Sequence, residues 1–271
     1  MKLQESTPIE DRFGARAHRY VASRVHAWGP DLERLVAVAG PQPHWHVLDV
    51  ATGGGHTARA FAPHVAWVLA IDRSGPMVEA ARAAAQATDP IRVSFAVADA
   101  HALPFPDETY HLVTCRIAPH HFADCRTFVQ ESVRVLRPGG MLLVQDITVP
   151  GDPELARAVN AFERQRDPSH GRALAVEEWA ALFQEAGLRV VHREVVAKRH
   201  RFLEWAARQD CDSRTIAQLW AQVAHGDAGL RAWLAPEAWD TPRATFVNRH
   251  LIIAGVRPSN KGHRGPLTGV P

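Results

Sequence analysis

At 271 residues, 46% hydrophobic and 22% charged, the chain has apolar material for one α/β domain with an insertion, or for a domain and a half. Its 31 basic and 29 acidic residues leave a net charge of +2 with histidine neutral, which argues against nucleic acid or an anionic membrane as partner; the 16 histidines make that balance conditional on pH. No stretch reaches the roughly 20 apolar residues that span a bilayer, Met1–Ser6 carries no leader-like apolar run, and Cys115, Cys125 and Cys211 lack C-x-x-C spacing, so a cytoplasmic protein with reduced thiols and no metal site is expected.

In chain order, residues 1–45 read as helical segments outside the sheet, lying over the ends of its strands. Residues 47–147 then alternate apolar runs with helical patterns, the signature of βαβ units and a parallel sheet. Strands are predicted at 46–51, 66–72, 91–98, 110–116 and 141–147, and helices at 55–62, 75–87 and 123–136. Ser74 suits the N-cap of the second helix, and Pro138-Gly139-Gly140 is expected to end the third and turn the chain into its strand. Beyond them, helices are predicted at 153–166, 175–187 and 201–225, and strands at 188–197 and 244–256. Residues 150–235 thus include an inserted helical cap within one domain spanning 1–256, and 257–271 read as a disordered tail.

Gly53, Gly54 and Gly55 fall between the first strand and its helix, where the absence of Cβ atoms lets a ligand approach the backbone. Alone this is weak, because Gly53-x-Gly55-x-x-Ala58 also fits a dinucleotide fingerprint. Asp72 ends the second strand and can accept both ribose hydroxyls of any adenosine cofactor. Asp49 lies beneath the loop, where a carboxylate opposes a pyrophosphate but favours the ammonium and sulfonium of S-adenosylmethionine. Asp99 follows the third strand and can accept from the adenine amine, with the Ala100 N–H donating to a ring nitrogen. Each aspartate alone reads equally well as a cap or turn residue; the three in this order favour the methyl donor.

These segments resemble the class I S-adenosylmethionine-dependent methyltransferases, in the branch of the ubiquinone/menaquinone C-methyltransferases. The matching segments are Val47 to Gly55, Ala70-Ile71-Asp72, Val97-Ala98-Asp99-Ala100, Leu103-Pro104-Phe105-Pro106 and Val135 to Gly140. Cys115 to Phe122, Arg166 to Arg172 and Phe13 to Leu32 look like a narrower subgroup. The resemblance implies a Rossmann-like, mostly parallel seven-stranded sheet, order 3-2-1-4-5-7-6 with the last strand antiparallel, helices on both faces and a helical substrate cap. It implies that Asp49, Ala51, Gly53, Gly55, Asp72, Arg73, Met77, Asp99, Ala100 and Cys115 surround the donor. Ala51 departs from the commoner glycine, a change its small size makes tolerable.

Methyl transfer from a sulfonium is an in-line displacement, so the protein must align the reactants, exclude water and, for some acceptors, supply a base. His120 and His121, after the fourth strand, suit a general base or the packing of the adenine side. Arg116 suits an acidic substrate group or, more simply, a loop anchor through Asp124. Asp167, His170 and Arg172 cluster in the inserted region, as site residues or as an intra-loop salt bridge. Tyr20 reads as a lid over the donor or as core packing, and the tryptophans beyond residue 178 as an aromatic substrate wall or as core. His44 and His46 lack a third ligand at metal spacing. The acceptor is expected to be a small molecule methylated on oxygen or carbon, in quinone or secondary metabolism, by a monomer or homodimer. An NAD-dependent oxidoreductase remains open on the glycine loop, although Tyr20 and Tyr110 lack a lysine four residues on. A nucleic-acid methyltransferase is disfavoured because Ile117-Ala118-Pro119-His120 replaces Pro-Pro-aromatic, and a methyltransferase fold without methyl-transfer activity stays open too.

Overall fold

Alternate residues of the central strands bury opposite faces: on β2 (Trp67–Asp72), Val68 and Ala70 pack to one side, Leu69 and Ile71 to the other. The computed structural model describes Ala17, residues 30–86 and residues 92–259. Tyr20, most of Phe13–Leu32 and the tail from 260 lie outside the described residues. With β1 (His46–Val50), β3 (Val93–Val97), β4 (Tyr110–Arg116), β5 (Leu136–Val149), β7 (Arg189–Arg201) and β8 (Thr245–Val256), the sheet runs β3-β2-β1-β4-β5-β8-β7. Pairings from β3 to β5 are parallel, and β8 is antiparallel to both neighbours. A two-residue strand, β6 (Leu174–Ala175), pairs with β5 off this path. Setting it aside returns the expected order 3-2-1-4-5-7-6.

Helices α1 (Pro30–Ala39) and α2 (His56–Phe61) cover one face through Leu32, Leu35, Ala39, Ala58 and Phe61. This corrects the expected place of the last N-terminal helix, which packs on the sheet rather than over its ends. Along β2 and β3 runs α3 (Gly75–Gln86), with Ser74 as foreseen at its start: its Oγ accepts the Met77 N–H at 3.4 Å. The opposite face carries α4 (Cys125–Val135) and α6 (Val176–Glu185), which seat Phe128, Trp179 and Phe183. A separate cluster joins α5 (Pro153–Arg166), α7 (Phe202–Ala207), α8 (Ser213–His225) and α9 (Ala228–Leu234) to Ile147, Val149 and Phe246 of the sheet. Its centre is aromatic, with Trp205 stacked on Phe162 at 5.3 Å and edge-on to Phe246 at 4.8 Å.

Three boundaries differ from expectation for local reasons. Pro138-Gly139-Gly140 does not follow a helix that reaches 136; α4 ends at Val135 and the three residues bulge inside β5, between the pairs Tyr110–Leu136 and Leu112–Met141. Gly139 takes φ 82°, and a Cβ on Gly140 would meet the Arg137 carbonyl at 2.9 Å. That bulge pairs with Arg257, assigned to the tail, by N–H to O contacts of 2.8 Å in each direction. The 201–225 helix is two helices because Asp212 caps a new one, accepting the Thr215 N–H at 2.7 Å, after Asp210 takes φ 54°. No helix among the described residues is long and apolar enough to cross a membrane.

One buried carboxylate binds four elements together. Asp31, in the first turn of α1, accepts from Arg116 Nη1 at the end of β4 (3.0 Å), Gln145 Nε2 on β5 (3.2 Å) and Lys198 Nζ on β7 (2.6 Å). Burial raises its pKa, but Lys198, Arg116 and the Gln145 hydrogen bond outweigh that and hold it at about 2. The group therefore stabilises the fold fully above its ordinary 3.8 and loses that contribution as pH falls through about 2. Asp31→Asn is expected to cost about 3–5 kcal/mol in urea unfolding at neutral pH, since Arg116 and Lys198 stay buried without their carboxylate. That difference should shrink toward acid; an unchanged urea midpoint at neutral pH would refute the anchoring role.

Candidate functional site

After Val50 the chain turns through Ala51–Gly55 into α2, with φ 52° at Ala51, 53° at Gly53 and 75° at Gly55. Two glycines adopt this left-handed backbone freely; Ala51 does so at a cost of about 1 kcal/mol. Its departure from glycine thus bears on backbone strain as well as size. Nothing stands within 4 Å of where a Gly53 Cβ would be, so the loop is open on its ligand side. A second left-handed residue, Ile117 at φ 53°, follows β4 on the same cavity. Left-handed geometry at a β-branched residue is strain that the surroundings must enforce; here the Ile117 N–H is held by the Gln145 carbonyl at 2.7 Å.

The three aspartates have different surroundings. Asp72 accepts the N–H groups of Gly53 and Ser74, each at 3.0 Å, so its carboxylate is fixed at the cavity wall. Asp99 accepts the His101 N–H at 2.9 Å and its Nδ1 at 2.8 Å, with Arg73 3.9 Å away. Burial opposes its charge, but His101 and Arg73 keep its pKa below the usual carboxylate value. Asp49 is 1% exposed and does not reach the cavity wall; Thr52 and Thr114 donate to it at 2.6 and 2.7 Å. Burial pushes its pKa up to about 6 against those hydrogen bonds, making it an anchor beneath the loop.

Just beyond Ile117, His120 is buried; its Nδ1 donates to Asp146 Oδ1 at 2.6 Å and its backbone N–H to Oδ2 at 2.7 Å. His121 Nδ1 donates to the Ser169 carbonyl at 2.9 Å, and His170 Nε2 to Asn160 Oδ1 at 2.8 Å. The His120 ring lies 4.0 Å from that of His121 and 5.2 Å from that of His170. Burial opposes charge on all three, yet Asp146 raises the pKa of His120. Burial and the His120 charge push His121 down to about 3; burial and both neighbours push His170 to about 2. Asp146 thus favours charge on His120, whereas the surroundings of His121 and His170 disfavour it.

A cavity of about 790 Å³ connects these groups. Ala51, Gly53, Asp72, Arg73, Met77, Asp99 and Ala100 line one part of it, and Arg116, His120 and His121 another. Gly55, Asp49, Cys115 and His170 are not on its wall: Gly55 backs onto Phe95, Cys115 is 1% exposed in the core, and His170 sits behind His120. Arg116 pairs with Asp31 rather than with Asp124, which instead caps α4. The proposed intra-loop salt bridge is replaced too, since Asp167 accepts from Ser169 and Gln209, and Arg172 pairs with Glu178. Of the later tryptophans, Trp205 reaches the cavity whereas Trp179 fills the core. His44 and His46 surround His111, whose Nδ1 accepts the His46 N–H, away from the cavity wall.

Sequence reasoning missed His101, Lys198, His200, Arg208, Asn248 and His250 on the wall and Asp146 behind it. A usable signal existed for four of them: polar residues at alternate positions of β7 (Lys198, His200) and β8 (Asn248, His250) share one face. The wall fits S-adenosylmethionine. Its volume suits a ligand pair, Gly53 leaves the loop open, and fixed carboxylates stand at the ends of β2 and β3, where an adenosine needs acceptors.

A family model for the methyltransferase domain matches residues 47–140. An uncharacterised methyltransferase of Bacillus subtilis (strain 168) is 41% identical over 64% of this chain and 69% of its own length. A ubiquinone/menaquinone biosynthesis C-methyltransferase of Desulfotalea psychrophila is 32% identical over 73% of this chain and 82% of its own. A solved structure assigned as a methyltransferase of Bacillus halodurans C-125 superposes with a TM-score of 0.81 at 33% identity, covering 85% of this chain and 100% of that one. With the loop, the carboxylates and the sheet order already in place, these likenesses settle the family: the chain belongs to the S-adenosylmethionine-dependent methyltransferases that act on small molecules.

Proposed function

We propose that the chain methylates an oxygen or an enolic carbon of a small acceptor held beneath the cap, with His120 as general base. The observation that carries this reading is the buried His120–Asp146 pair on the cavity wall. S-adenosylmethionine supplies a methyl group activated on a sulfonium. Asp72 would accept the ribose hydroxyls, Asp99 would accept the adenine amine, and the Ala100 N–H would donate to the ring. Gly53 and Ala51 let the donor lie against the backbone, while Arg73 and Met77 flank it. Asp49 acts beneath the loop as a negative field and an anchor for Thr52. The acceptor's proton would pass to the free Nε2 of neutral His120 as the acceptor bonds the methyl group and the methyl–sulfur bond breaks, with S-adenosylhomocysteine as leaving group, and Asp146 would stabilise the resulting imidazolium. His121 and His170 serve as neutral neighbours that fix the ring.

The likeness to a quinone C-methyltransferase supports a quinol-like or other enolisable acceptor. Charge balance and three cysteines without C-x-x-C spacing support a cytoplasmic enzyme, monomer or homodimer, that binds no nucleic acid, organised as one domain over residues 1–256. Transfer of a labelled methyl group to small molecules of a cell extract tests the reading. Label in protein or nucleic acid alone would refute it.

Asp72→Ala is expected to weaken S-adenosylhomocysteine binding at least about tenfold in calorimetry, because the ribose loses its acceptor and Gly53 its anchor. Unchanged affinity would remove Asp72 from the donor site. For the base, kcat/KM should rise with pH as His120 deprotonates, with a midpoint above the ordinary imidazole value of 6.5. Asp146→Asn withdraws the charge that favours imidazolium, so the midpoint should move down and kcat fall about tenfold or more. A profile that keeps its midpoint in Asp146→Asn would place the base elsewhere.

A further inference from the structure

The cavity has a second part that donor binding does not use. Register places Lys198 opposite Asn248, Val196 opposite His250 and His200 opposite Phe246, so Lys198, His200, Asn248 and His250 share one face of the sheet. Nearer the start of β5 the same face is apolar, through Leu143, Ile252 and Ala254. Polar residues replace them where the cavity opens. From Asp72 on β2 to His200 on β7 there are five strand spacings, about 24 Å, so one end of the cavity belongs to the adenosine and the other to a second ligand.

That second part is cationic. Lys198 and Arg116 share the single carboxylate of Asp31. Arg166, at the end of α5, lies over the Trp205 ring at 4.6 Å and is 3.9 Å from Glu163, whose pKa burial raises. Arg208 follows α7, lines the cavity and donates to His200 Nδ1 at 3.4 Å; among the described residues no carboxylate is within ion-pair reach of it. His200 is held neutral by burial and by Arg208, Lys198 and Arg166, with a pKa near about 4. His250 is 4% exposed, and among the described residues its Nδ1 has no hydrogen-bond partner. A half-buried guanidinium and an imidazole nitrogen on one wall, both without a partner of this kind among the described residues, await a ligand. An anion answers the first and also accepts from the second.

We propose that this end of the cavity binds the acceptor through a carboxylate, held by the Arg208 guanidinium with Lys198 and His250. The acceptor is thereby a small carboxylic acid. This rests on the donor reading above, and one set of calorimetric titrations separates the two. Benzoate and benzamide are titrated into protein saturated with S-adenosylhomocysteine. Benzoate should bind in the millimolar range or better, and benzamide at least about tenfold more weakly, the loss of one charge-assisted pair. Arg208→Gln should reduce benzoate binding to the level of benzamide while its affinity for S-adenosylhomocysteine stays unchanged, which also shows that it folds. Arg208→Lys should recover part of the difference. Equal binding of the two probes, no benzoate binding to the saturated wild-type protein, or an Arg208→Gln variant that binds benzoate as before would each overturn the carboxylate site. Failure of S-adenosylhomocysteine itself to bind would overturn the donor reading and the proposal with it.

Discussion

The shape of the cavity depends on how one carboxylate is shared. Asp31 has two buried cations and an amide on one oxygen, and each comes from a different element. Desolvating three charges is expensive, and a cluster with one anion and two cations offsets that cost only if its geometry is tight. Its return is positional. It brings α1, the end of β4, the middle of β5 and the edge strand β7 to one point at the carboxyl side of the sheet. Arg116 and Lys198 then face the cavity with one carboxylate behind them, so the wall keeps a positive field that an apolar replacement would not supply.

A second constraint follows from packing three imidazoles together. Within about 5 Å of one another they cannot all be charged, and burial disfavours charge on each. Asp146 breaks the symmetry by contacting only His120, through both its ring and its backbone N–H. Which ring best tolerates charge is thereby set by a residue on β5, one strand away, and not by the histidines' own loop. Ile117 feeds the same turn at positive φ. Strain there is sustained because Gln145, next to Asp146 on β5, holds its N–H while its own side chain reaches Asp31. His120 and the ion cluster are in this way held by consecutive residues of one strand.

The sheet was legible because its strands are apolar on both faces and because a helix begins at a cap such as Ser74. The order of strands came from the family likeness and not from periodicity. What escaped detection has a common physical cause: it depends on contacts between residues far apart in sequence. Asp31 and Lys198 are 167 residues apart, and nothing near either marks it as a partner of the other. The donor end was readable because its loop and carboxylates sit at strand ends spaced by one βαβ unit. The acceptor end was not, because its residues come from β7, β8 and the cap, where alternating polar residues on an edge strand resemble ordinary solvated positions. The bulge at Pro138-Gly139-Gly140 was misplaced for the same reason, since a signal that reads locally as a helix stop is satisfied by a distant contact with Arg257.

This division suggests where specificity resides. Residues of the proposed donor end are backbone amides, a glycine loop and carboxylates at the ends of β2 and β3, elements bound to the core on both faces. Residues of the proposed acceptor end sit on β7, on β8 and on short helices whose contacts with the sheet pass through Phe246, Ile147 and Val149. Substitution of Arg208 or His200 changes the wall without disturbing the central sheet, whereas substitution of Asp49 or Gly55 disturbs both loop and core. A fold arranged in this way can hold one methyl donor while its cap residues vary with the acceptor, because the two sets of contacts share only His120, Arg116 and the Asp31 cluster between them.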